Sequence, residues 1–299
     1  MPFRWGSGDR ALVIGADSQI GRSVCAALVD ASLRVETTTH RDYDLRADPR
    51  TIERIAAGCA CAIVSAGATI ASECENDPVG TRAVNVTGTA QLIQFLSSLG
   101  IFVVWLSSNA VFSGGRPFPG LRDPHDPTTE YGRQKSDAEH LLSGLLDRVA
   151  IIRLTKVLSH ETPLVREWLS ALHHNAPIQP FNDRVLCPVS LNFAATAVAD
   201  IARRGIGGVY HVSGREDVTY ADVAAVLATA ISATGTSVRP IASHSAQRST
   251  LFTGKYASLD MAETTAALGL EPQGIGDVVA DIVSPRRTAE FSRATPRSV

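Results

Sequence analysis

Over its first half, the chain alternates short apolar runs with longer amphipathic stretches. The apolar runs predict buried strands, and the stretches with apolar residues three or four positions apart predict helices. The predicted strands cover residues 11–14, 33–38, 60–65, 101–107 and 149–154. The predicted helices cover residues 19–31, 49–57, 81–99 and 131–146. This alternation predicts an α/β fold with a doubly wound parallel sheet, in which ligands bind at the carboxyl ends of the strands.

The second half of the chain is less regular. It contains a predicted helix at 164–174, a short strand at 209–212 and a helix at 220–233. Residues 286–299 are rich in Arg, Ser and Thr, and they predict a frayed tail.

Composition excludes several classes of protein. The 299 residues are 44% hydrophobic and 19% charged, which suits a large apolar core rather than a disordered chain. A net charge of -2 and a pI near 6.4 argue against a nucleic-acid partner. Apolar runs are too short to span a membrane, and residues 1–8 lack the apolar stretch of a signal peptide. We therefore expect a cytoplasmic protein with no membrane partner.

The cysteines predict neither disulfides nor a metal site. Their number is odd, and their spacing fits neither a disulfide framework nor a zinc site. They are Cys25, Cys59, Cys61, Cys74 and Cys187. We expect ordinary buried thiols.

A glycine loop follows the first predicted strand. Residues 15–21 read Gly-Ala-Asp-Ser-Gln-Ile-Gly and open the first predicted helix. Glycine permits the tight turn and the close approach of a diphosphate, which the helix N-terminus attracts. Ser18 replaces the middle glycine of the usual fingerprint, and its hydroxyl could donate to phosphate if its φ is negative. The predicted dinucleotide contacts here are Gly15, Asp17, Ser18, Gln19 and Ile20.

The end of the second predicted strand indicates which dinucleotide binds. Residues 37–41 read Thr-Thr-Thr-His-Arg, with no carboxylate before Asp42. A carboxylate at this point would bind the ribose diol of NAD, whereas Thr39, His40 and Arg41 suit the 2′-phosphate of NADP. NADP(H) is therefore favoured and NAD(H) stays possible. Asp44-Leu45 follows as a predicted contact for adenine.

Small residues also follow the third and fourth predicted strands. Ser65-Ala66-Gly67-Ala68 ends one of these strands and Ser107-Ser108-Asn109-Ala110 ends the other. Both segments should face the crevice into which the glycine loop opens. We predict cofactor contacts at Ala66, Gly67 and Ala68.

Tyr131 and Lys135 lie four residues apart on a predicted helix, so they share one face. The Lys135 ammonium should lower the pKa of the Tyr131 phenol and hold the nicotinamide ribose. Tyr131 would then exchange a proton with a substrate carbonyl or alcohol. Ser108 ends a strand and could orient the reacting oxygen. Asn85 is predicted to brace the helix that carries Lys135, through water, beside the cofactor.

These residues, in this order, resemble the extended short-chain dehydrogenase/reductases, and most closely the dTDP-4-dehydrorhamnose reductase family. Residues 103–112, Val-Val-Trp-Leu-Ser-Ser-Asn-Ala-Val-Phe, resemble the family strand that ends in Ser-Thr-Asp-Tyr-Val-Phe. Residues 130–135, Glu-Tyr-Gly-Arg-Gln-Lys, resemble its Tyr-Gly-Arg-Ser-Lys segment. Residues 182–189 resemble the family segment that closes over the sugar cleft. Residues 208–214 resemble a late strand of the family. The resemblance covers residues 10–285.

The resemblance implies a Rossmann cofactor domain from residues 9–158 and about 184–213. It implies a smaller α/β substrate domain from about 159–183 and 214–285. The family reduces the 4-keto group of a nucleotide-activated sugar with NADPH or NADH, in deoxysugar biosynthesis. This resemblance implies that Tyr131 donates the proton, that Lys135 adjusts the pKa of Tyr131 and that Ser108 holds the ketone in position. A homodimer is also implied.

The substrate contacts predicted from the resemblance are Ser108, Asn109, Val111 and Arg184, whose guanidinium suits a diphosphate. The family pattern has Asp-Tyr where this chain has Asn109-Ala110, so the sugar stays open. The absence of a carboxylate disfavours a dehydratase. A nucleotide-sugar 4-epimerase, another sugar dehydrogenase of this fold and a non-catalytic NADP-binding regulatory subunit remain as alternatives. Fold likeness alone does not separate them.

Overall fold

The computed structural model describes residues 9–233, 238–243 and 254–284. The tail predicted at 286–299 lies outside the described residues. The strands of the described chain are β1 Arg10–Ile14, β2 Arg34–Thr38, β3 Cys59–Val64, β4 Phe102–Ser108, β5 Val149–Leu154, β6 Lys156–Leu158, β7 Val185–Leu186, β8 Pro188–Ser190, β9 Gly208–Val212 and β10 Val218–Thr219. The helices are α1 Gln19–Asp30, α2 Glu53–Ala56, α3 Ala71–Asn76, α4 Pro78–Arg82, α5 Thr89–Ser98, α6 Glu130–Leu142, α7 Pro163–His173, α8 Leu191–Arg204, α9 Tyr220–Ala230, α10 Ala262–Leu268 and α11 Ile275–Val283.

The central sheet has six parallel strands in the order β2-β1-β3-β4-β5-β9. Ile14 at the end of β1 lies opposite Thr38 of β2 and Val64 of β3. The chain order reverses between β1 and β3, so a crevice opens where these three strands end. The predicted α/β, doubly wound parallel fold is confirmed. Two smaller sheets pair β10 with β7 and β6 with β8.

Each face of the sheet carries its own apolar core. Alternate residues of a strand point to opposite faces, so Val13 packs with α1 and α8 while Leu12 packs on the face covered by α5 and α6. A third cluster gathers Trp168 of α7, Val223 of α9 and Val278 of α11. This separate core supports a distinct substrate domain, whose boundaries stay a prediction. Trp168 is buried there as a core residue.

The single helix predicted over 81–99 is wrong in its first part. The structure has α4, then a π-helical segment Ala83–Gly88, then α5. A Cβ on Gly88 would lie 2.0 Å from the Leu45 carbonyl oxygen, so this segment packs directly on the loop after β2. The π turn depends on such tertiary contacts, and the spacing of apolar residues in the sequence does not reveal them.

Several helices were not predicted. They are α3, α8, α10 and α11. The end signals of α8 were readable, because Ser190 caps its N-terminus and Gly205 ends it in the left-handed conformation. Within the described ranges, no helix has the length and apolarity needed to cross a membrane, and no cluster of side chains suits a metal ion. The five cysteines are buried and unpaired with one another.

Candidate active site

Two glycines shape the loop between β1 and α1. Gly15 has φ +89°, and a Cβ there would lie 2.7 Å from the Ala66 backbone nitrogen. A Cβ on Gly21 would lie 2.3 Å from the Gly15 carbonyl oxygen. Both positions therefore exclude a side chain. The resulting tight turn brings the N-terminus of α1 to the switch point of the sheet, as a diphosphate site requires.

The backbone φ of Ser18 is -72°, which meets the condition that a serine in this loop must have a negative φ to approach a phosphate. Its hydroxyl, however, donates to the Gly15 carbonyl at 2.8 Å and accepts from the Gly21 N–H at 3.0 Å. The expectation that this hydroxyl donates to phosphate is wrong for this conformation. Gln19 Oε1 accepts from Ser159 Oγ at 3.2 Å, which orients the side chain and leaves its Nε2 as the group that could donate to phosphate. The N–H groups of Gly15, Ala16, Ser18 and Gly21 are bonded within the protein. The N–H groups of Asp17, Gln19 and Ile20 are therefore the backbone donors that we expect to meet a diphosphate.

The segment after β2 lies against the glycine loop, since the Gly15 N–H donates to the Thr38 carbonyl at 2.9 Å. Asp42 accepts from the backbone and hydroxyl of Thr39, both at 2.8 Å, and these hydrogen bonds lower the pKa of its carboxyl. The carboxylate is therefore bound within its own turn. His40 and Arg41 are exposed beside it, with His40 Nδ1 3.4 Å from Asp17 Oδ2. This arrangement leaves Arg41 as an exposed cation at the predicted 2′-phosphate site, with the Asp17 carboxylate on the far side of His40.

The two predicted adenine contacts differ. Asp44 stays half-exposed and pairs with Arg46 at 2.6 Å, and the Arg46 hydrogen bonds lower the pKa of its carboxyl to about 2. The Leu45 side chain instead packs in the core beneath the sheet face covered by α5 and α6. Leu45 is thus unavailable for a side-chain contact with adenine, and Asp44 stays a prediction.

Asn85 organises the loop after β3. Its Oδ1 accepts from the Ala68 N–H at 2.8 Å, and its Nδ2 donates to the Ala68 carbonyl at 2.8 Å. A Cβ on Gly67 would lie 3.2 Å from Asn85 Oδ1, so the loop lies close over this side chain. Asn85 is 1% exposed. It therefore shapes the Ala66-Gly67-Ala68 segment rather than presenting a polar group to a cofactor.

The brace between Asn85 and α6 is direct, not water-mediated. Asn85 Nδ2 also donates to Gln134 Oε1 at 2.8 Å, and Gln134 Nε2 donates to Thr81 Oγ1 at 2.9 Å. Gln134 is fully buried and precedes Lys135. Sequence reasoning missed this residue. The available signal was a polar side chain beside Lys135 on a helix that must pack against the sheet.

Ser108, Tyr131 and Lys135 meet where β4 ends and α6 begins. Thr129 caps α6 by accepting from the Gly132 N–H at 3.1 Å. Tyr131 follows in the first turn, near Ser108. The Ser108 hydroxyl accepts from the Ala110 N–H at 3.1 Å and donates to Asn109 Oδ1 at 3.4 Å. Lys135 Nζ lies 5.8 Å from the centroid of the Tyr131 ring. The three predicted catalytic side chains therefore share one site.

The electrostatics differ from the sequence expectation. Burial raises the pKa of Tyr131 to about 12, against a smaller opposite effect of the nearby Ser108 hydroxyl. Burial thus outweighs the decrease in pKa that the spacing to Lys135 predicted. The Lys135 ammonium donates to the Leu106 carbonyl at 2.9 Å and lies 4.7 Å from the Trp105 ring centroid. Burial lowers the pKa of Lys135 to about 8. At neutral pH the site holds a neutral phenol beside a mostly protonated lysine.

The predicted substrate contacts are only partly available. Asn109 Nδ2 donates to the Ala257 carbonyl at 2.8 Å, which ties the segment after the catalytic serine to residues 254–261. Val111 is buried against Phe112 and Leu259, so its side chain cannot contact a sugar in this conformation. Arg184 is half-buried on the loop that leads into β7, and its contact with diphosphate stays a prediction.

Comparison with known proteins agrees with this geometry. The family model described as the RmlD substrate binding domain matches residues 9–287. The chain belongs to that family. A dTDP-4-dehydrorhamnose reductase of Sinorhizobium fredii is 28% identical over 222 residues, which cover 71% of this chain and 75% of the relative.

Two further likenesses of this RmlD-family chain are informative. The methionine adenosyltransferase 2 subunit beta of Xenopus laevis is 26% identical over 181 residues, 56% of this chain and 53% of that protein. The crystal structure of dTDP-4-dehydrorhamnose reductase from Bacillus anthracis in complex with NADP superposes with a TM-score of 0.82. It is 16% identical and covers 93% of this chain and 99% of that chain, so it supports the fold.

Proposed function

We propose that this chain is an NADPH-dependent reductase of the 4-keto group of a nucleotide-activated sugar, with NADH as a weaker alternative cofactor. The observation that carries the proposal is that Ser108 at the end of β4 lies beside Tyr131 and Lys135 of α6, with Lys135 Nζ 5.8 Å from the centroid of the Tyr131 ring. A phenol that keeps its proton at neutral pH is an acid, and reduction of a ketone needs an acid at the carbonyl oxygen.

The residues present fit a dinucleotide. Gly15 and Gly21 leave room for a diphosphate at the N-terminus of α1, because a Cβ at either position would collide with backbone. Arg41 and His40 would hold the 2′-phosphate, and Lys135 would hold the nicotinamide ribose. When bound, the nicotinamide supplies the hydride that is added to the carbonyl carbon.

The chain's own side chains supply the rest of the reaction. Ser108 orients the carbonyl oxygen, and Tyr131 transfers its phenolic proton to that oxygen as the carbon accepts hydride. The nearby Lys135 ammonium stabilises the phenolate that remains. Water then returns a proton to Tyr131. The net change is one hydride and one proton added to the ketone.

A regulatory NADP-binding subunit is the second candidate, because a relative carries the name of an adenosyltransferase subunit. It predicts tight NADPH binding with no turnover. The complete Ser108, Tyr131 and Lys135 set favours the reductase, since a binding module has no need for a proton donor. A 4-epimerase would use the same tyrosine but would regenerate its cofactor, so net NADPH oxidation separates it from the reductase.

The deciding experiment is NADPH oxidation at 340 nm with a panel of 4-keto nucleotide sugars, after NADPH and NADH binding have been measured by fluorescence. Turnover of one sugar supports the reductase. Tight NADPH binding without turnover of any sugar favours the regulatory subunit. No binding of either cofactor refutes both.

The choice of cofactor gives a first prediction. Replacing Arg41 with alanine should weaken NADPH binding roughly tenfold, the size of one charge-assisted hydrogen bond, and NADH binding by less than about twofold. The dissociation constants of both cofactors test this. Arg50→Ala is the control, because Arg50 is an exposed arginine that pairs with Asp48 at 3.2 Å. Equal losses for NADPH and NADH in R41A would contradict the 2′-phosphate assignment.

The pH profile gives a second prediction. Lys135 has a pKa of about 8, so its ammonium is lost as the pH rises through that value. We expect kcat to fall about tenfold per pH unit above this point, because a neutral amine no longer stabilises the phenolate. A flat kcat between pH 7 and pH 10 would show that the charge of Lys135 is not needed.

We also propose that the enzyme acts in the cytoplasm and forms a homodimer, as family likeness suggests. Light scattering on the purified chain tests the dimer, and a monomer at micromolar concentration would exclude it.

A further inference from the structure

A buried ion pair lies next to the catalytic side chains. Arg153 of β5 pairs with Glu139 of α6 at 2.7 Å, and both side chains are 4% exposed. Arg153 Nε adds donor contacts to the two carboxylate oxygens, at 3.2 and 3.0 Å. A buried pair is costly to desolvate and is by itself weak evidence for stability. Its other contacts must therefore explain what it does.

Two histidines complete the environment of Arg153. His125 Nε2 lies 2.6 Å from Arg153 Nη2, and His211 Nε2 lies 3.2 Å from Arg153 Nη1. Burial is the main cause that lowers the pKa of both rings, that of His211 to about 4. Both histidines are thus neutral at pH 7 and accept from the guanidinium. The cluster carries one positive and one negative charge.

The outer edge of the cluster carries other titratable groups. The His140 ring lies 5.2 Å from that of His125, centroid to centroid. Asp126 raises the pKa of His125, and Asp123 raises that of His211, as smaller effects than burial. His125 also faces the carboxylate itself, because its Nε2 lies 3.5 Å from Glu139 Oε2.

Two hydrogen bonds connect Glu139 and its helix to the catalytic strand. Ser107 Oγ donates to Glu139 Oε1 at 2.5 Å, and Lys135 Nζ donates to the Leu106 carbonyl at 2.9 Å. Ser107 directly precedes Ser108, and Glu139 lies one helical turn after Lys135 on the same face. One carboxylate thus contacts the end of β4 and lies near the lysine.

We propose that Glu139 is a positioning residue, which holds the end of β4 and Ser108 against α6 while its negative charge favours the ammonium form of Lys135. Arg153 fixes the carboxylate in this orientation. The catalytic consequence rests on the proposed reductase function, but the effect on Lys135 does not.

The charge balance around Lys135 supports this assignment. Burial lowers the pKa of Lys135, and Glu139 is the first of the groups that oppose the decrease, ahead of the Cys74 thiol. Among these opposing groups of the described chain, Glu139 is the carboxylate. Removing its charge should therefore leave Lys135 neutral at a lower pH.

The test measures Lys135 directly, without cofactor or sugar. The chain has three lysines, Lys135, Lys156 and Lys255, so lysine labelled with ¹³C at Cε gives three resolved signals. K156R and K255R assign the other two signals. In the wild type, the Lys135 signal should titrate near pH 8. In E139Q, which keeps the shape and the acceptor for Ser107, the midpoint should fall by roughly one pH unit.

Two variants separate charge from position. Ser107→Ala keeps the charge and removes the hydrogen bond, so the Lys135 midpoint should stay unchanged while kcat falls several-fold and NADPH affinity is retained. Asp200→Asn removes a carboxylate paired with Arg203 on α8 at 2.7 Å, and it should change neither quantity. If E139Q fails to fold, E139Q/R153M replaces both charges and restores neutrality.

Each outcome decides one part of the proposal. An unchanged Lys135 midpoint in E139Q, or in the double variant, overturns the electrostatic role. Wild-type kcat in S107A overturns the positioning role. If the wild type reduces no sugar, the proposed function fails, and the lysine titration still decides the effect of Glu139.

Discussion

Replacing Tyr131 with phenylalanine should lower kcat by roughly 10²-fold or more, or about 2.7 kcal/mol in activation free energy. The phenyl ring keeps its place beside Lys135, whose ammonium lies 5.8 Å from the ring centroid. The variant loses only the hydroxyl that donates the proton and meets Ser108. NADPH affinity should therefore change little, and the loss should appear in kcat.

Steady-state oxidation of NADPH at 340 nm and fluorescence titration of NADPH test this result together. Tyr210→Phe is the matched control, because Tyr210 is a buried tyrosine of β9 whose hydroxyl donates to the Gly207 carbonyl at 3.1 Å. It should lose at most about 1 kcal/mol of stability and no activity. Turnover by Y131F within twofold of the wild type would remove Tyr131 from the reaction.

The inner strands β1, β3, β4 and β5 could be predicted because each is a run of mainly apolar residues that the fold buries on both faces. The edge strand β2 is largely polar and partly exposed, and its β-branched residues indicated a strand. The predicted strand at 149–154 matches β5 from Val149 to Leu154, and the other predicted strands of the sheet differ by one residue at one or both ends. The helix at 81–99 could not be predicted correctly. Its π segment depends on Asn85 and Gly88 contacting loops more than 15 residues away, at Ala68 and Leu45.

The catalytic side chains could be predicted because Tyr131 and Lys135 lie one helical turn apart and Ser108 ends a neighbouring strand. This placement does not depend on the other contacts of the fold. The protonation states of these side chains could not be predicted. The pKa of Tyr131 depends on how much water its surroundings exclude, and burial there outweighs the effect that spacing to Lys135 suggested. Likewise, the pairing of Glu139 with Arg153 and Ser107 joins one helix to two strands. No pattern among neighbouring residues of the sequence predicts such a contact between distant elements.

The partners of the polar residues at the cofactor crevice could not be predicted from the sequence either. Ser18 and Asn85 have side chains suited to a ligand, yet each uses its hydrogen bonds within the protein. Asp42 does the same with Thr39. A sequence shows which groups can form hydrogen bonds, whereas the fold decides whether those groups face the crevice or their own loop.

Gly132 gives the second large effect that we expect. A Cβ at this position would lie 2.1 Å from the Ala110 carbonyl oxygen and 3.1 Å from Pro127 Cβ. The obstacle is backbone, so the start of α6 must move away from the segment after Ser108 by on the order of 1 Å. Such a displacement separates Tyr131 from Ser108. We expect G132A to lower kcat by roughly 10²-fold and to destabilise the fold by about 1–3 kcal/mol.

Gly144→Ala is the control that isolates this contact. Gly144 lies in the 3₁₀ turn Ser143–Leu145 after α6, and a Cβ there would meet nothing within 4 Å. Alanine is the better helix former by up to about 1 kcal/mol, so G144A should keep full activity and be neutral or slightly stabilising. Thermal unfolding and kcat separate the two variants. A fully active G132A would mean that α6 can shift without cost to the Tyr131–Ser108 contact, and that the glycine of the Tyr-Gly pair does not set the geometry of proton transfer.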